Sequence, residues 1–280
     1  MPGELRDRSG LLLLPALLML GLVFVVPLAW FFVRVLLIDS DPASLPELVV
    51  GVVTSRPMLI AMATTNWISL LVTAVVLLIG YPIAFYLANT GGLRFTLVIF
   101  CIIVPYFTSV IVRTYSWMVL LGRNGIVNQI LLQLGLVDQP LALLYNKLGI
   151  VIGMTYVLLP YMVLTLYAAM KGIEPSLVQA ARALGASDAY VFRRVYFPLT
   201  LHGVISGSLI VFILAIGFFI TPALMGGPSD VMVAMLVERS VEIMLDWQSA
   251  AVMSLLLLAV TLVLYALYAR VTDLRRFMGG

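Results

Sequence analysis

The stretch QAARALGASDAYVFRRVYFP, residues Gln179 to Pro198, lies between two long apolar runs of a chain that is 63% hydrophobic. It is basic, rich in alanine and broken by a glycine. Leu177, Ala180, Ala181 and Leu184 fall at i, i+3, i+4 and i+7, the spacing of one helical face. Glu174-Pro175-Ser176 supplies a helix start, because proline is tolerated in a first turn. Gly185 ends that helix, since glycine accepts the left-handed conformation. Ser187 is placed to cap a second short helix through Phe192 and Val195, and Pro198 is expected to close the segment before the next apolar run. Two short helices jointed at Gly185, lying on a membrane surface, are therefore expected.

The surroundings explain why a membrane is invoked. Mean hydropathy is +1.15 and only 10% of residues are charged, which excludes an ordinary soluble domain. Six apolar runs occur: Leu11–Leu37, Thr64–Ala88, Phe95–Leu121, Leu148–Met170, Leu199–Met225 and Ser249–Ala269. A bilayer hydrocarbon layer is ~30 Å thick, so a run of 18 or more apolar residues spans it as a helix. The fold class is all-α integral membrane with six transmembrane helices. The first run lacks a small-residue cleavage site and is read as an uncleaved helix rather than a signal peptide.

Charge placement orients the bundle. Residues 1–10, the turn at 89–94, the segment 171–198 and the tail 271–280, with Arg270 at its edge, carry ten cations against five acids; the opposite side carries five against eight. The positive side is cytoplasmic, so both termini and the quoted stretch face the cytoplasm. The pI of 9.1 is explained by these orientation signals, with no nucleic acid required. Residues 38–63 read as an outer loop with Pro42, Pro46 and Pro57, and 64–270 as a core of five helices. Gly80-Tyr81-Pro82, Pro105, Pro160 and Thr221-Pro222 interrupt the runs. Breakers are commoner in membrane helices than in soluble ones, and they also line cavities that move. Gly203-Val-Ile-Ser-Gly207 has the spacing that lets two helices approach closely.

The quoted stretch admits two physical roles: an interfacial hairpin held by Arg193 and Arg194 near anionic headgroups, or a docking helix whose alanines admit a partner groove with Leu184 as anchor. A resemblance bears on that choice. Gln179-Ala180-Ala181, Gly185, Phe192, Val195 and Phe197-Pro198 resemble the EAA signature of ABC-importer permeases. The first position of that signature is usually glutamate and here is Gln179, which keeps hydrogen bonding and loses charge. The resemblance implies a type I importer of MetI-like architecture. It implies that Gln179, Ala180, Ala181, Leu184, Gly185, Ala186, Phe192 and Pro198 couple the chain to a separate ATPase. It also implies partners: a second homologous permease subunit, a homodimeric ABC ATPase that binds ATP and Mg, and an extracytoplasmic solute-binding protein, all at the lipid bilayer of a bacterial inner membrane. No cofactor belongs to the chain itself.

Further stretches resemble the spermidine/putrescine permease group. They are Pro105-Tyr-Phe-Thr-Ser109, Val112-Arg-Thr-Tyr-Ser-Trp117, Leu121-Gly-Arg-Asn-Gly125, Ile126-Val-Asn128, Gly80-Tyr-Pro-Ile-Ala84 and Thr221-Pro-Ala-Leu-Met-Gly-Gly-Pro228. The implied solute is a polyamine, and the group also contains permeases for amino-acid derivatives, opines and aminophosphonates. Neither Lys147 nor Lys171 completes a phosphate-binding GxxxxGK[ST] loop, so an enzyme that hydrolyses ATP by itself is not expected. His202 is the sole histidine, four residues from Ser206 on one helix, which does not make an intramembrane serine protease. Histidine and glutamate clusters for a metal are missing too. No Asp or Glu lies inside any run, which argues against an ion-coupled secondary transporter.

Candidate pathway residues are aromatic, because rings attract cations over their faces by ~0.5–2 kcal/mol. They are Tyr106, Phe107, Tyr115 and Trp117 in the third run and Tyr156 and Tyr161 in the fourth, with Tyr81 and Phe85 in the second. Arg113 is the one deep charge and is either structural or pore-facing. On the outer side Asp230, Glu238, Glu242 and Asp246 form an acidic stretch, either a solvated loop or a surface for the binding protein.

Overall fold

The computed structural model describes residues 14–38 and 44–278, with side chains through 266. The expected N-terminal charges Glu4, Arg6, Asp7 and Arg8, the loop acids Asp39 and Asp41, and the side chains of Arg270, Asp273, Arg275 and Arg276 lie outside the described residues. The described residues are helical, in the order α1 Leu14–Ile38, α2 Leu45–Thr54, α3 Arg56–Asn89, α4 Gly92–Ile103, α5 Val110–Leu121, α6 Ile126–Gln133, α7 Lys147–Lys171, α8 Pro175–Ala183, α9 Asp188–Ile216, α10 Ile220–Met225, α11 Val233–Glu242 and α12 Trp247–Met278. The chain divides into two units. One holds residues Met1–Met58 and Val237–Leu258, the other Leu59–Leu236 and Ala259–Gly280.

In the first unit α1 is almost wholly uncovered: among its described residues only Val35 is buried. An apolar helix that buries so little of itself is suited to lipid on most sides. Phe31 meets Trp247 edge to face at 6.2 Å.

The second unit is organised around α7, which is enclosed over much of its length. Asn146 accepts from the Gly149 amide at 3.0 Å and so caps its start. Ile150, Met154, Leu158, Met162 and Leu166 form the core with Ile68, Val72 and Val76 of α3 and Val211 and Ala215 of α9. Close approach of α9 to α7 is made possible by Gly203 and Gly207. A Cβ at Gly203 would stand 2.4 Å from the Ala169 Cβ, and one at Gly207 2.8 Å from the Met162 sulfur. Without a hydrophobic drive between helices in lipid, such small-residue packing is a main source of association.

The structure departs from the expected runs at three places. The third run is not one helix: Gly92–Phe107 and Val110–Gln133 meet at 108°, and they complete six spans only when the bent pair is taken as one. Val104–Phe107 tightens into a 3-10 turn, Thr108 and Ser109 are extended, and the Thr108 hydroxyl donates to the Pro105 carbonyl at 2.7 Å. Proline cannot donate to the helical ladder, and the threonine hydroxyl adds a second donor to the Pro105 carbonyl at the corner. The second helix starts at Arg56, inside the expected 38–63 loop. Ser55 is extended, its hydroxyl accepts from the Met58 amide at 3.4 Å, and Pro57 occupies the first turn. Finally, Pro198 does not close the cytoplasmic segment. Asp188–Ile216 is one continuous helix, and a π-helical turn at Phe192–Tyr196 precedes the proline. The fifth run instead ends at Ile216, and Ile220–Met225 restarts as a short helix carrying Thr221-Pro222.

Asn128 pins the outer segment. Its fully buried amide donates to the carbonyls of Gly122 at 3.1 Å and Leu141 at 3.0 Å, and its oxygen accepts from the Leu141 amide at 2.9 Å. Asn128→Ala strands the Leu141 amide, while the Gly122 and Leu141 carbonyls keep the Gly125 and Leu143 amides as donors, so a loss of about 1–3 kcal/mol and a lower thermal midpoint in detergent are expected. An unchanged midpoint would remove Asn128 from this role.

Candidate functional site

The quoted stretch folds as a short helix, a tight corner and the start of a long helix. Pro175 opens α8, and its end is closed by two reversed bonds: the Gly185 amide donates to the Arg182 carbonyl at 2.9 Å and the Ala186 amide to the Ala181 carbonyl at 3.2 Å. This arrangement requires a left-handed residue, and Gly185 has φ +84°. Ser187 then caps α9, its hydroxyl accepting from the Tyr190 amide at 3.4 Å. Arg182 reaches across the corner to Asp188 at 3.0 Å, with both side chains largely exposed.

The apolar face of α8 is divided. Val178 packs on the core with Ile173 and Phe192, and Ala181 and Ala186 are half-buried. Leu177, Ala180 and Leu184 are exposed, Leu184 to 89%. Nothing else in the described chain covers them. Gln179 is also exposed and lines a cleft of about 430 Å³ with Lys171, Arg182, Phe85 and Phe192. Phe192 meets Tyr81 at 6.3 Å and Phe85 at 5.7 Å, both edge to face, while the Tyr81 hydroxyl bonds Thr200 at 3.0 Å. The start of α9 is thereby locked to the cytoplasmic end of α3. Tyr81 and Phe85 belong to this knot, and no ring contact joins them to the third-run aromatics among the described residues. Pro198 stays exposed on the outside of α9.

Other predicted residues meet in pairs. The Tyr161 hydroxyl donates to the Tyr106 hydroxyl at 3.2 Å with ring centroids 5.6 Å apart. Trp117 and Tyr156 meet edge to face at 5.4 Å. Tyr115 is exposed and has no ring partner among the described residues. Arg113 is buried on α5. Beside it, Thr114 and Thr221 share a hydrogen bond at 3.2 Å that ties α5 to α10.

The outer acids do not act alike. Asp230 is buried and accepts from the Gly227 amide at 3.1 Å, so it braces its own loop instead of presenting a charge to a docking protein. Asp246 accepts from the Ser249 amide at 3.0 Å and caps α12, a role not read in the sequence although the Asp-x-x-Ser spacing holds it. Glu238 is half-buried and Glu242 exposed on α11. Among the described residues no three His, Cys, Asp or Glu side chains converge on a metal-sized site.

Broken apolar helices long enough to cross a membrane, with an exposed, glycine-cornered helix beside them, fit a membrane transport subunit. The family model for the binding-protein-dependent transport system inner membrane component matches residues 9–276, and the chain belongs to that family. It is thus a multi-pass permease subunit of an ABC importer in the inner membrane, a transport component and not a catalyst. The spermidine/putrescine transport system permease protein PotB of Escherichia coli K12 is 34% identical over 206 residues, covering 74% of this chain and 75% of that one. Among solved structures, a bacterial ABC transporter that imports the acidic polysaccharide alginate superposes with TM-score 0.67 at 16% identity, covering 95% and 96%. The MetNI methionine ABC transporter, in inward-facing conformations, superposes at 0.58 and 17% identity, covering 79% and 98%. These two share the MetI-like fold with this chain.

Proposed function

We propose that the chain forms half of the translocation pathway for a polyamine such as spermidine or putrescine. The observation that carries this reading is the 34% identity to PotB across about three-quarters of both chains. The site agrees chemically: Tyr106 with Tyr161 and Trp117 with Tyr156 offer ring faces to a cation. Transport proceeds by alternating access. A solute-loaded binding protein docks outside, with Glu238 and Glu242 on the side it meets. ATP and Mg, bound by a homodimeric ATPase, close that dimer. The closure is received by Gln179, Ala180, Ala181 and Leu184 and passes through Gly185 and Ala186 into α9. A second permease subunit completes the pathway.

Cells lacking this chain are expected to lose at least about nine-tenths of high-affinity labelled putrescine or spermidine uptake, since a coupled transporter without a permease has no route left. Re-expression restores it. Unchanged polyamine uptake with loss of an amino-acid derivative, opine or aminophosphonate would overturn the polyamine reading and leave the importer standing.

A further inference from the structure

The cleft of about 430 Å³ beside α8 is lined by a different face of that helix from the one left open. Pro175, Val178, Gln179 and Arg182, at i, i+3, i+4 and i+7, line the cleft. Leu177, Ala180 and Leu184 are exposed on roughly the opposite side, since an α-helix turns ~100° per residue. The surface offered to an ATPase is therefore not the cleft. Its other walls are the ends of two spans: Phe85 and Asn89 from the last turns of α3, and Met170 and Lys171 from the end of α7. Both helices stop there, which puts the cleft where hydrocarbon gives way to headgroups. Buried Met170 and Tyr196 and half-buried Phe192 make it apolar inside.

Three charges line it. They are Lys171, Arg182 and Asp188, and Asp188 is already paired with Arg182 at 3.0 Å. One positive charge is left over. A glutamate at position 179, usual in the signature this segment resembles, would cancel it, and Gln179 does not. A second observation says what kind of anion fits. Leu78, Pro82, Phe85 and Asn89 of α3, at i, i+4, i+7 and i+11, are all exposed, and the stripe they form ends in the cleft. Eleven residues of helix rise ~16 Å, about half of a ~30 Å hydrocarbon layer. The stripe thus has the depth of one leaflet, and Leu78 at its far end is 75% exposed. A soluble anion makes no use of such a track, whereas an acyl chain does. We propose that the cleft is a binding site for one anionic phospholipid of the inner leaflet, with its phosphate at Lys171 and Arg182 and a chain along Phe85, Pro82 and Leu78. Cationic side chains and phosphate form charge-assisted hydrogen bonds, and the apolar wall takes the glycerol and upper chain. Seated there, the lipid fills the gap between α8 and the ends of α3 and α7.

The test uses the assembled transporter in nanodiscs of phosphatidylglycerol and phosphatidylcholine with matched chains. A trace of phosphatidylglycerol carries a photoreactive group on its acyl chain. On the wild type, adducts are expected on the peptide that holds Leu78 and Phe85. Excess phosphatidylglycerol should suppress them, and phosphatidylcholine or inorganic phosphate should not. Lys171→Gln with Arg182→Gln is expected to cut the labelling about twentyfold, because each cation near an anionic surface contributes roughly fivefold. Lys171→Gln alone, expected to cut it about fivefold, serves if the double variant does not accumulate. Arg193→Gln with Arg194→Gln removes the same charge from exposed residues outside the cleft and should leave labelling near the wild-type level. Equal losses in the two pairs would mean a diffuse basic surface. Equal suppression by phosphatidylcholine would mean a chain groove without headgroup selection, and suppression by inorganic phosphate a soluble-anion site. Labelling seen only after the ATPase is stripped away would mean that protein covers the cleft. Each of these, or no labelling of the stripe, would overturn the proposal. None of the readouts depends on which solute is carried.

Discussion

Gly185→Asp is expected to leave the chain in the membrane at near wild-type amounts while removing transport. The expectation combines two observations at one residue. A side chain at Gly185 would meet nothing within 4 Å, so the substitution has no steric reason to block folding or insertion. Its φ of +84° is nevertheless a conformation in which only glycine is relaxed. Aspartate tolerates that region better than most residues, at a cost of ~1–2 kcal/mol. The corner also places the new carboxylate beside Leu184, on the face left open for a partner. Strain there loosens the two reversed bonds that set the angle between α8 and α9, and the charge opposes docking. Coupling between sites is typically worth ~1–3 kcal/mol, so its loss should lower uptake by about tenfold or more. ATP hydrolysis by the purified assembly should stop responding to loaded binding protein. Gly185→Asn separates the causes, since it keeps the backbone tolerance and omits the charge. Normal uptake by Gly185→Asp would end the coupling role assigned to this corner.

Gly203→Ala should destabilise the second unit, and Ala169→Gly should restore it. The added methyl carbon would sit 2.4 Å from the Ala169 Cβ, far inside contact distance, while other atoms stay 3.9 Å away. α9 must therefore move off α7, at an overpacking cost of ~1–3 kcal/mol. Removing the opposing methyl by Ala169→Gly relieves the only close contact, so the double variant should recover most of the loss. Thermal midpoints of the detergent-solubilised protein measure this as a double-mutant cycle. Independent, additive losses in the two single variants would show that the helices do not meet through these residues. At Gly207 the opposing atom is the Met162 sulfur, on a flexible side chain that can yield, and a milder effect follows.

The features legible in sequence were those carried by composition and local spacing. Lys147–Lys171 agrees with the run Leu148–Met170 to within a residue at each end, because its apolar content is uniform and its ends are charged. The corner at Gly185 followed from an apolar stripe that stops at a glycine. The 108° bend did not follow, since hydropathy counts side chains and is blind to whether the backbone ladder continues past Pro105. The reach of α9 back to Asp188 was hidden by Pro198, which reads as a stop unless a π turn absorbs it. Arg56 and Pro57 look like loop residues yet open a helix, because Ser55 stands before them. At the site, Arg113 was visible as a lone charge, but that Tyr161 and Thr114 are already engaged was not. Asp230 looked like part of an acidic surface, and only the folded loop brings the Gly227 amide to it.

The π turn at Phe192–Tyr196 carries one further consequence, a matter of angular phase. Asp188–Ile216 is uninterrupted over 29 residues, and an α-helix advances ~100° and ~1.5 Å with each residue. Every side chain facing α7 is therefore indexed, residue by residue, to the azimuth at which the helix leaves the Gly185 corner. The wider turn shifts that index once, letting Phe192 point at Tyr81 and Phe85 while Gly203 and Gly207 still point at α7. A single residue inserted between Ser187 and Phe192 would be out of register with one end or the other. Lengthening of this element is thus confined to increments near a full helical period.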